Sequence, residues 1–432
     1  MSGSNPHFEK LKDQLRSTAR FGYAASLLAW DQRSYMPPAG TEARAEVTAA
    51  IETEAFTRFT SPLTGELCDK LSTGNGLGET ERMLVSRVAS MYDRQRKVPA
   101  DFFENFSRTK AHSQSIWVKA KHASDFKMFQ PHLEKIFKNV RELADIYGYK
   151  ENPYDALLCD YEPGLTTKIL KGVVEDLKPL KNIVKILTQA KQPDEKILSG
   201  HFPLSGQTEL CMLGLKAVQY NLDSGRLDES EHPFTINVGP DDIRLTTNFK
   251  VWNWTPAFFA TLHEAGHGLY EQGKDEVLKW FYQDLGYSLG IHESQSRMWE
   301  NMVGRSLAFW KFFYPQLCRI FPYYREVPLK DFYAAINVVK PSPIRTAADE
   351  VTYNLHVMLR FELEEALLNK KLEVKDLPQA WNSKLKEYLG ILPKNDGEGV
   401  LQDIHWSGGM VGYFPTYMLG NLYSAQMLAT IK

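Results

Sequence analysis

The chain has 432 residues, 43% of them hydrophobic and 24% charged, with a formal net charge of -2. That is ordinary soluble globular composition, long enough for one large domain or two lobes, and the even charge balance without a basic block excludes an electrostatic match to nucleic acid or to an anionic membrane surface. The four cysteines, Cys68, Cys159, Cys211 and Cys318, form no C-x-x-C pair; this argues against a disulfide framework or a cysteine metal site and fits a reducing compartment.

The first stretch, MSGSNPHFEKLKDQLR, is polar and offers no apolar core for a signal peptide, and no apolar run reaches the roughly 18 residues that a membrane span requires. The expected location is the cytosol. Phe8, Leu11, Leu15, Ala19 and Tyr23 stand at helical spacing and predict a helix from Phe8 to Trp30. Met36-Pro37-Pro38-Ala39-Gly40 must break it, and a second helix starts at Thr41. A loop, Leu71 to Glu79, precedes helices expected over about Thr80 to Arg96, Ala100 to His122 and Phe126 to Tyr147. Asp155, Asp160 and Glu162, in a turn-rich stretch, read as caps and turn residues. Further helices are expected over Lys168 to Ala190 and Gln207 to Asn221.

The texture changes after His232. Phe234 to Val238 and Ile243 to Thr246 alternate apolar and polar around Gly239-Pro240-Asp241-Asp242, which predicts a β-hairpin. Thr255-Pro256 then opens a helix, since proline fits the first helical turn. That helix contains His263-Glu264-Ala265-Gly266-His267, an H-E-x-x-H motif. Residues four apart share one helix face, so His263 and His267 can address one metal ion, and Glu264 is placed to act on water rather than to ligate. Phe258, Phe259, Leu262, Leu269 and Tyr270 make the helix largely apolar and hence buried. A catalytic zinc site takes a third protein ligand and leaves a position open. Spacing puts Glu293 first for that role, with Glu300 and His292 still open.

An aromatic helix is expected after Glu293, running to Phe313. Leu329 to Asn337, Thr346 to Leu368, Leu377 to Leu389 and Thr416 to Ile431 are the remaining helical segments, and GEGVLQDIHWSGGMVGYFP is a glycine-rich loop. No internal repeat or low-complexity segment is seen.

Six short motifs succeed one another in register: His232-Pro233-Phe234; Asp242-Ile243-Arg244-Leu245-Thr246; His263 to His267; His292-Glu293-Ser294-Gln295; Ile344-Arg345-Thr346-Ala347-Ala348-Asp349; and Gly399-Val400-Leu401-Gln402-Asp403-Ile404-His405-Trp406. Trp30-Asp31-Gln32, Met36-Pro37-Pro38 and the stretch from Tyr154 to Gly164 add to them. In these the chain resembles the carboxypeptidase Taq family of metallocarboxypeptidases, over essentially its whole length. The resemblance implies that Glu293 is the third ligand of one divalent metal per chain, with zinc expected and cobalt or manganese chemically compatible. It implies a mainly α fold with the two-sided helical cleft of neurolysin-like zincins and a small β-hairpin beside the metal helix. A single domain, 1–432, is expected, with a helical half to about residue 205 and a metal-site half from about 206. Members are typically homodimers that release single residues from peptide carboxyl termini with broad specificity. They usually continue past the last motif, so the final helix here is expected to lack part of the family's packing.

Glu264 is the expected general base. Arg345, and after it Arg244, are candidates to read the substrate's terminal carboxylate, because the planar guanidinium matches it bidentately. The bland alternative for Arg345 is an ion pair with Asp349. His232, His405, Tyr413 and Tyr417 are candidate oxyanion donors. Asp242, Asp349, Gln402 and Asp403 are expected to support these side chains from behind, Asp403 by orienting His405. Two other readings remain: an endo-acting oligopeptidase on the same fold, and a non-catalytic, metal-stabilised interaction protein.

Overall fold

The computed structural model describes residues 5–74, 76–276, 278–280 and 288–431. Helix dominates, as the apolar periodicity requires, and the β structure among the described residues is one small sheet. The chain forms two compact units that interleave: residues 1–107, 220–247 and 268–287 make the first, and residues 108–219, 248–267 and 288–432 the second. The division expected near residue 205 is not among these breaks. Elements distant in sequence share a core, which local patterning does not report.

In the first unit the helix Pro6–Ser34 extends the expected one at both ends; Asn5 caps it through a bond from the His7 N–H. Phe8, Leu11 and Leu15 pack with Phe59, Leu67, Leu84 and Val88 of the next helices. The expected hairpin is present as β2 (Thr235–Gly239) and β3 (Asp242–Thr247), with Asp241 in the left-handed region at φ 59°. A strand that the periodicity does not reveal, β1 (Gly225–Glu229), pairs parallel to β3, giving the order β1-β3-β2. Its sequence, GRLDE, reads as polar because its charges have partners: Arg226 is bidentate to Asp228, which also accepts from the Tyr35 hydroxyl.

In the second unit, the Phe126–Tyr147 and Leu377–Leu389 helices match the sequence reading. The single helix expected over Lys168 to Ala190 is two, Thr167–Leu177 and Leu180–Gln189, parted at Pro179, which cannot continue an α ladder. Asp155 accepts from the Thr167 N–H at 2.6 Å, the capping role expected of it. The helix Glu350–Leu368 is buried on nearly every side and carries His356, Arg360 and Glu364 fully out of water. Arg360 and Glu364 have hydrogen-bond partners, as burial demands, whereas the ring nitrogens of His356 have none among the described residues. No helix among the described residues is long and apolar enough to cross a membrane.

Glu364 shows what this costs. Tyr154 Oη donates to it at 2.5 Å, Trp406 Nε1 at 2.7 Å and the Gly412 N–H at 3.1 Å. Burial still outweighs these bonds and pushes its pKa from 4.5 up to about 7. The folded state therefore holds this proton more tightly than the unfolded chain does. The associated stability is fully present below about pH 4.5 and is lost as pH rises through about 7. In Glu364→Gln the urea midpoint should lose this dependence, worth roughly 2–4 kcal/mol between pH 4.5 and 8 at about 1.4 kcal/mol per unit. Denaturation series at several pH values check it; parallel profiles for the two proteins would refute it.

Candidate active site

The helix Thr255–Gln272 is anchored at its start, where Asn253 Oδ1 accepts from the Thr255 N–H at 2.9 Å. Its base is locked by fully buried aromatic rings. Trp254, Phe258 and Trp310 pack on one another and on Phe313 and Phe332, and Trp254 Nε1 donates to Tyr324 Oη at 2.8 Å. Large rings in such a cluster fix a helix axis firmly.

Two turns in, His263 and His267 share one face, as their spacing requires. Their Nε2 atoms turn toward the same oxygen: Glu293 Oε2 lies 3.8 Å from His263 Nε2 and 3.2 Å from His267 Nε2. Glu293 comes from a second helix, Leu289–Arg297, and is buried. One ligand atom from each of the three residues lies within 4.8 Å of the others. Ligand atoms about 2.1 Å from a tetrahedral ion stand roughly 3.4 Å apart, so the spacing fits a divalent cation.

The side chains behind these three strengthen the fit. His263 Nδ1 is 2.8 Å from Glu300 Oε2, and His267 Nδ1 is 2.6 Å from His292 Nδ1. Each bond can hold its ligand histidine in the tautomer that leaves Nε2 as a bare lone pair. Arg297 Nε donates to Glu293 Oε1 at 2.9 Å, leaving Oε2 turned toward the two imidazoles, and its Nη1 donates to Glu300 Oε2 at 3.3 Å. The three residues that spacing offers for the third ligand thus take three separate places. Glu293 converges with the histidines, Glu300 backs His263 and His292 stacks on His267, with ring centroids 4.5 Å apart.

The charges record a surplus of negative field. Burial opposes the ionisation of Glu293, but His263 and Arg297 hold it well below the carboxylate range. Glu300 is pushed down to about 2 against its burial by His263 and Arg297. Burial draws both imidazoles toward neutrality. With His292 it takes His267 down to about 4, whereas Glu293 and Glu300 override it at His263 and raise that ring to about 9. Glu264, on the same helix, is itself buried.

Close helix approach depends on two glycines. A Cβ on Gly266 would stand 2.5 Å from the Gln295 carbonyl oxygen and from Ser296 Cα. One on Gly420, in the helix Pro415–Ile431, would stand 2.5 Å from Glu293 Cγ. The Leu289–Arg297 helix is therefore pressed between two neighbours at backbone distance. Its start is held by Glu162, which accepts from Ser288 Oγ at 2.7 Å and the Gly290 N–H at 3.1 Å. Beyond Arg297 the helix passes into a π segment, Met298–Val303, and a fresh helix, Leu307–Ile320, begins at the Ser306 cap. The unbroken helix expected to Phe313 is interrupted here. Such single π turns often sit at functional sites, and this one carries Glu300.

Arg345, 5% exposed, is the other focus of charge in the second unit. Its Nε and Nη2 donate to Asp403 Oδ1 at 3.0 and 2.8 Å, and its Nη1 donates to Tyr353 Oη at 2.6 Å. Arg360 donates to the other oxygen, Asp403 Oδ2, from Nε at 2.8 Å and Nη2 at 2.6 Å. Against the cost of burial, the two cations hold Asp403 ionised. Asp349 takes a different place from the one expected: it caps the Glu350–Leu368 helix and does not pair with Arg345. Asp403 is spent on two arginines and lies 4.0 Å from His405 Nδ1, too far to orient it by a hydrogen bond. Gln402 Oε1 accepts from the Arg345 N–H and from Arg360 Nη2, both at 2.8 Å. His405 is pushed down to about 3 by burial and Arg345; its Nε2 is 3.1 Å from Tyr417 Oη, and Tyr413 stacks beside both rings.

His232, Asp242 and Arg244 belong to the first unit and have their own partners there. His232 is exposed, and Arg244 is bidentate to Asp242 at 2.9 and 2.8 Å with its guanidinium 4.3 Å over the Trp30 ring. The sequence reading passes over Arg297, Arg360 and Tyr353. Only Arg297 left a signal, an ion-pair spacing of four from Glu293.

A convergent histidine–histidine–glutamate set on two packed helices is a metallopeptidase arrangement, and residues 10–432 match the family described as carboxypeptidase Taq (M32) metallopeptidases. The chain belongs to that family. It is 40% identical over 434 residues to thermostable carboxypeptidase 1 of Thermus thermophilus, covering 97% of this chain and 85% of that one. The crystal structure of the M32 carboxypeptidase from Deinococcus radiodurans R1 superposes with a TM-score of 0.94 at 34% identity, covering 98% of this chain and 86% of that one. An oligoendopeptidase F shares the fold at a TM-score of 0.61 and 12% identity, covering 98% and 86%. The protein is thus a metallocarboxypeptidase of mainly helical, zincin-like fold, and membership implies a divalent metal.

If Glu293 is a ligand and Glu300 its neighbour's support, their substitutions separate in magnitude. Loss of an outer hydrogen-bond partner typically weakens metal binding by about 10–100-fold. Glu300→Ala should fall in that range, and Glu293→Ala should be weaker still, by roughly another tenfold or more. Zinc titration of the metal-stripped variants against a chromophoric chelator measures both. Equal affinities would remove Glu293 from the ligand set.

Proposed function

We propose that this chain is a zinc carboxypeptidase of broad specificity that hydrolyses the last peptide bond of its substrates, with Glu264 as general base and Arg345 as reader of the terminal carboxylate. When bound, the ion supplies Lewis acidity, polarising the scissile carbonyl and making water acidic enough to ionise near neutral pH. Glu264 takes the proton of the attacking water at its carboxylate and passes it to the departing amine nitrogen. His405 and Tyr417 supply polar hydrogens toward the developing oxyanion, with Tyr413 and His232 as further candidates. Zinc is assigned from the imidazole and carboxylate donors. Homodimeric assembly and a cytosolic location belong to the same reading, the first from the family resemblance and the second from the four free cysteines.

The observation that carries the exopeptidase claim is charge. Asp403 stands between Arg345 and Arg360, two cations on one carboxylate, while His405 is held neutral. The cluster therefore keeps one buried positive charge in excess. Three of the five N–H donors of Arg345 are engaged. A buried unbalanced cation is costly unless something needs it, and a peptide's terminal carboxylate supplies both the missing charge and the missing acceptors. Arg244 is the second choice, already paired with Asp242.

Two substitutions test the assignment. Glu264→Gln should bind zinc as tightly as the parent protein yet lose at least about a hundredfold in kcat, the scale of general-base catalysis. Metal analysis beside the kinetics decides it, and a metal-free variant would mean that Glu264 is a ligand. Arg345→Ala should lower kcat/KM on free-acid peptides by about ten- to a hundredfold, from a charge-assisted contact of roughly 1.5–3 kcal/mol. Amidated peptides, cut slowly by the parent, should be nearly unaffected, and Arg345→Lys should restore only part of the loss. Mass spectrometry of both peptide sets measures this. Equal slowing of both would hand the carboxylate role to Arg244, and an amidated peptide cut as well as the free acid by the parent would favour an endopeptidase.

A further inference from the structure

Tyr353 lies in the first turn of the Glu350–Leu368 helix, 4% exposed, and belongs to neither the metal motif nor the Arg345 motif. Its two polar aspects face two different cations. The hydroxyl oxygen accepts from Arg345 Nη1 at 2.6 Å. The ring face carries the guanidinium of Arg297, whose Cζ is 3.9 Å from the centroid. Arg297 in turn grips Glu293 and Glu300, and Glu300 backs His263. One unbroken line of direct contacts thus runs from the proposed carboxylate reader to two members of the metal set.

The physics of the pair makes Tyr353 more than filler. Arg297 and Arg345 are both buried, and each disfavours the charge of the other. They can be neighbours only if what separates them is negative on both sides. A tyrosine satisfies this: its π face attracts one guanidinium and its oxygen lone pair accepts from the other. Phenylalanine would keep only the first contact, and an aliphatic side chain neither.

We propose that Tyr353 is a positioning residue for both halves of the site: its ring holds Arg297, and through it Glu293 and Glu300, while its hydroxyl holds Arg345. The second half takes its substrate meaning from the proposed reading of Arg345; the metal half does not depend on that reading.

The test uses the full-length protein, zinc titration of the metal-stripped form, and kinetics at saturating zinc on free-acid and amidated peptides. Tyr353→Phe should leave zinc affinity within about threefold of the parent, because the ring face remains. Its KM for free-acid peptides should rise about five- to tenfold with little change in kcat, because Arg345 loses an acceptor that fixes it. Tyr353→Leu should show that KM effect and, in addition, bind zinc about tenfold or more weakly, the scale of a lost outer contact. Tyr353→Met, whose longer and more flexible chain reaches further into the ring's space, repeats the zinc measurement if the leucine variant folds poorly. A packing role alone predicts lower melting temperatures with an unchanged zinc dissociation constant. Unchanged zinc binding in the folded leucine or methionine variant overturns the ring half, and an unchanged KM in the phenylalanine variant overturns the hydroxyl half. If that KM rises equally for free-acid and amidated peptides, Tyr353 does hold Arg345, and it is the carboxylate reading of Arg345 that falls.

Discussion

Ionised groups taken out of water set the terms for the second unit of this protein. Glu293 and Glu300 are held as anions in a site from which solvent is largely excluded, by His263 and by Arg297. Asp403 is held as an anion by Arg345 and Arg360. Removing one partner from such a group leaves a bare buried charge, which destabilises far more than the intact pair stabilises. The arrangement is therefore specified tightly. Both oxygens of Asp403 and Glu293 Oε1 accept from arginine, Glu300 Oε2 lies against His263 and Arg297, and Glu293 Oε2 faces the two imidazole nitrogens.

Geometry of that quality needs helices that cannot drift. Gly266 and Gly420 let three helices meet at backbone distance, so a shift of the ligand helix by even part of an ångström meets main-chain atoms on one side or crowds its own glutamate on the other. Glu162 fixes the register of that helix at its N-terminus. The π segment after Arg297 then changes the phase of the residues beyond it. In a regular α-helix, Glu293, Arg297 and Glu300 would share one face by spacing alone; the π segment turns less per residue, and Glu300 within it reaches His263 while Arg297 serves both acids. The aromatic lock around Trp254 does the same for the histidine helix.

Local features were legible in the sequence and non-local ones were not. The four-residue spacing of His263 and His267, the proline break after the first helix and the turn between β2 and β3 are each decided within a few residues, and the structure has them. Spacing put Glu293 ahead of Glu300 and His292 but left all three open, because the choice depends on helix phase past a π turn and on which ring each side chain meets. The family resemblance singled out Glu293. β1 was missed because a polar strand on a sheet edge carries no apolar alternation. Arg345 had a plausible local partner, Asp349, one helical turn away; its real partner, Asp403, is 58 positions on. Tyr353 gave no signal, since a tyrosine in an apolar helix reads as core. The interleaving of the two units is invisible to any local pattern.

The opposite charge surpluses of the two clusters bear on specificity. The histidine–glutamate set, with its carboxylates, suits a cation; the Arg345 cluster, with one arginine beyond what Asp403 balances, suits an anion. On the proposed reading, a peptide bound by its carboxyl end brings a carbonyl to the first and a carboxylate to the second, so one ligand answers both demands. An internal stretch of peptide answers only one and leaves the arginine surplus buried against neutral amides. On the proposed reading, discrimination against it arises from leaving a buried cation uncompensated, a penalty that needs no steric wall. Tyr353 is in contact with the arginines of both clusters, so on that reading discrimination and the positioning of the proposed metal ligands rest on the same side chain.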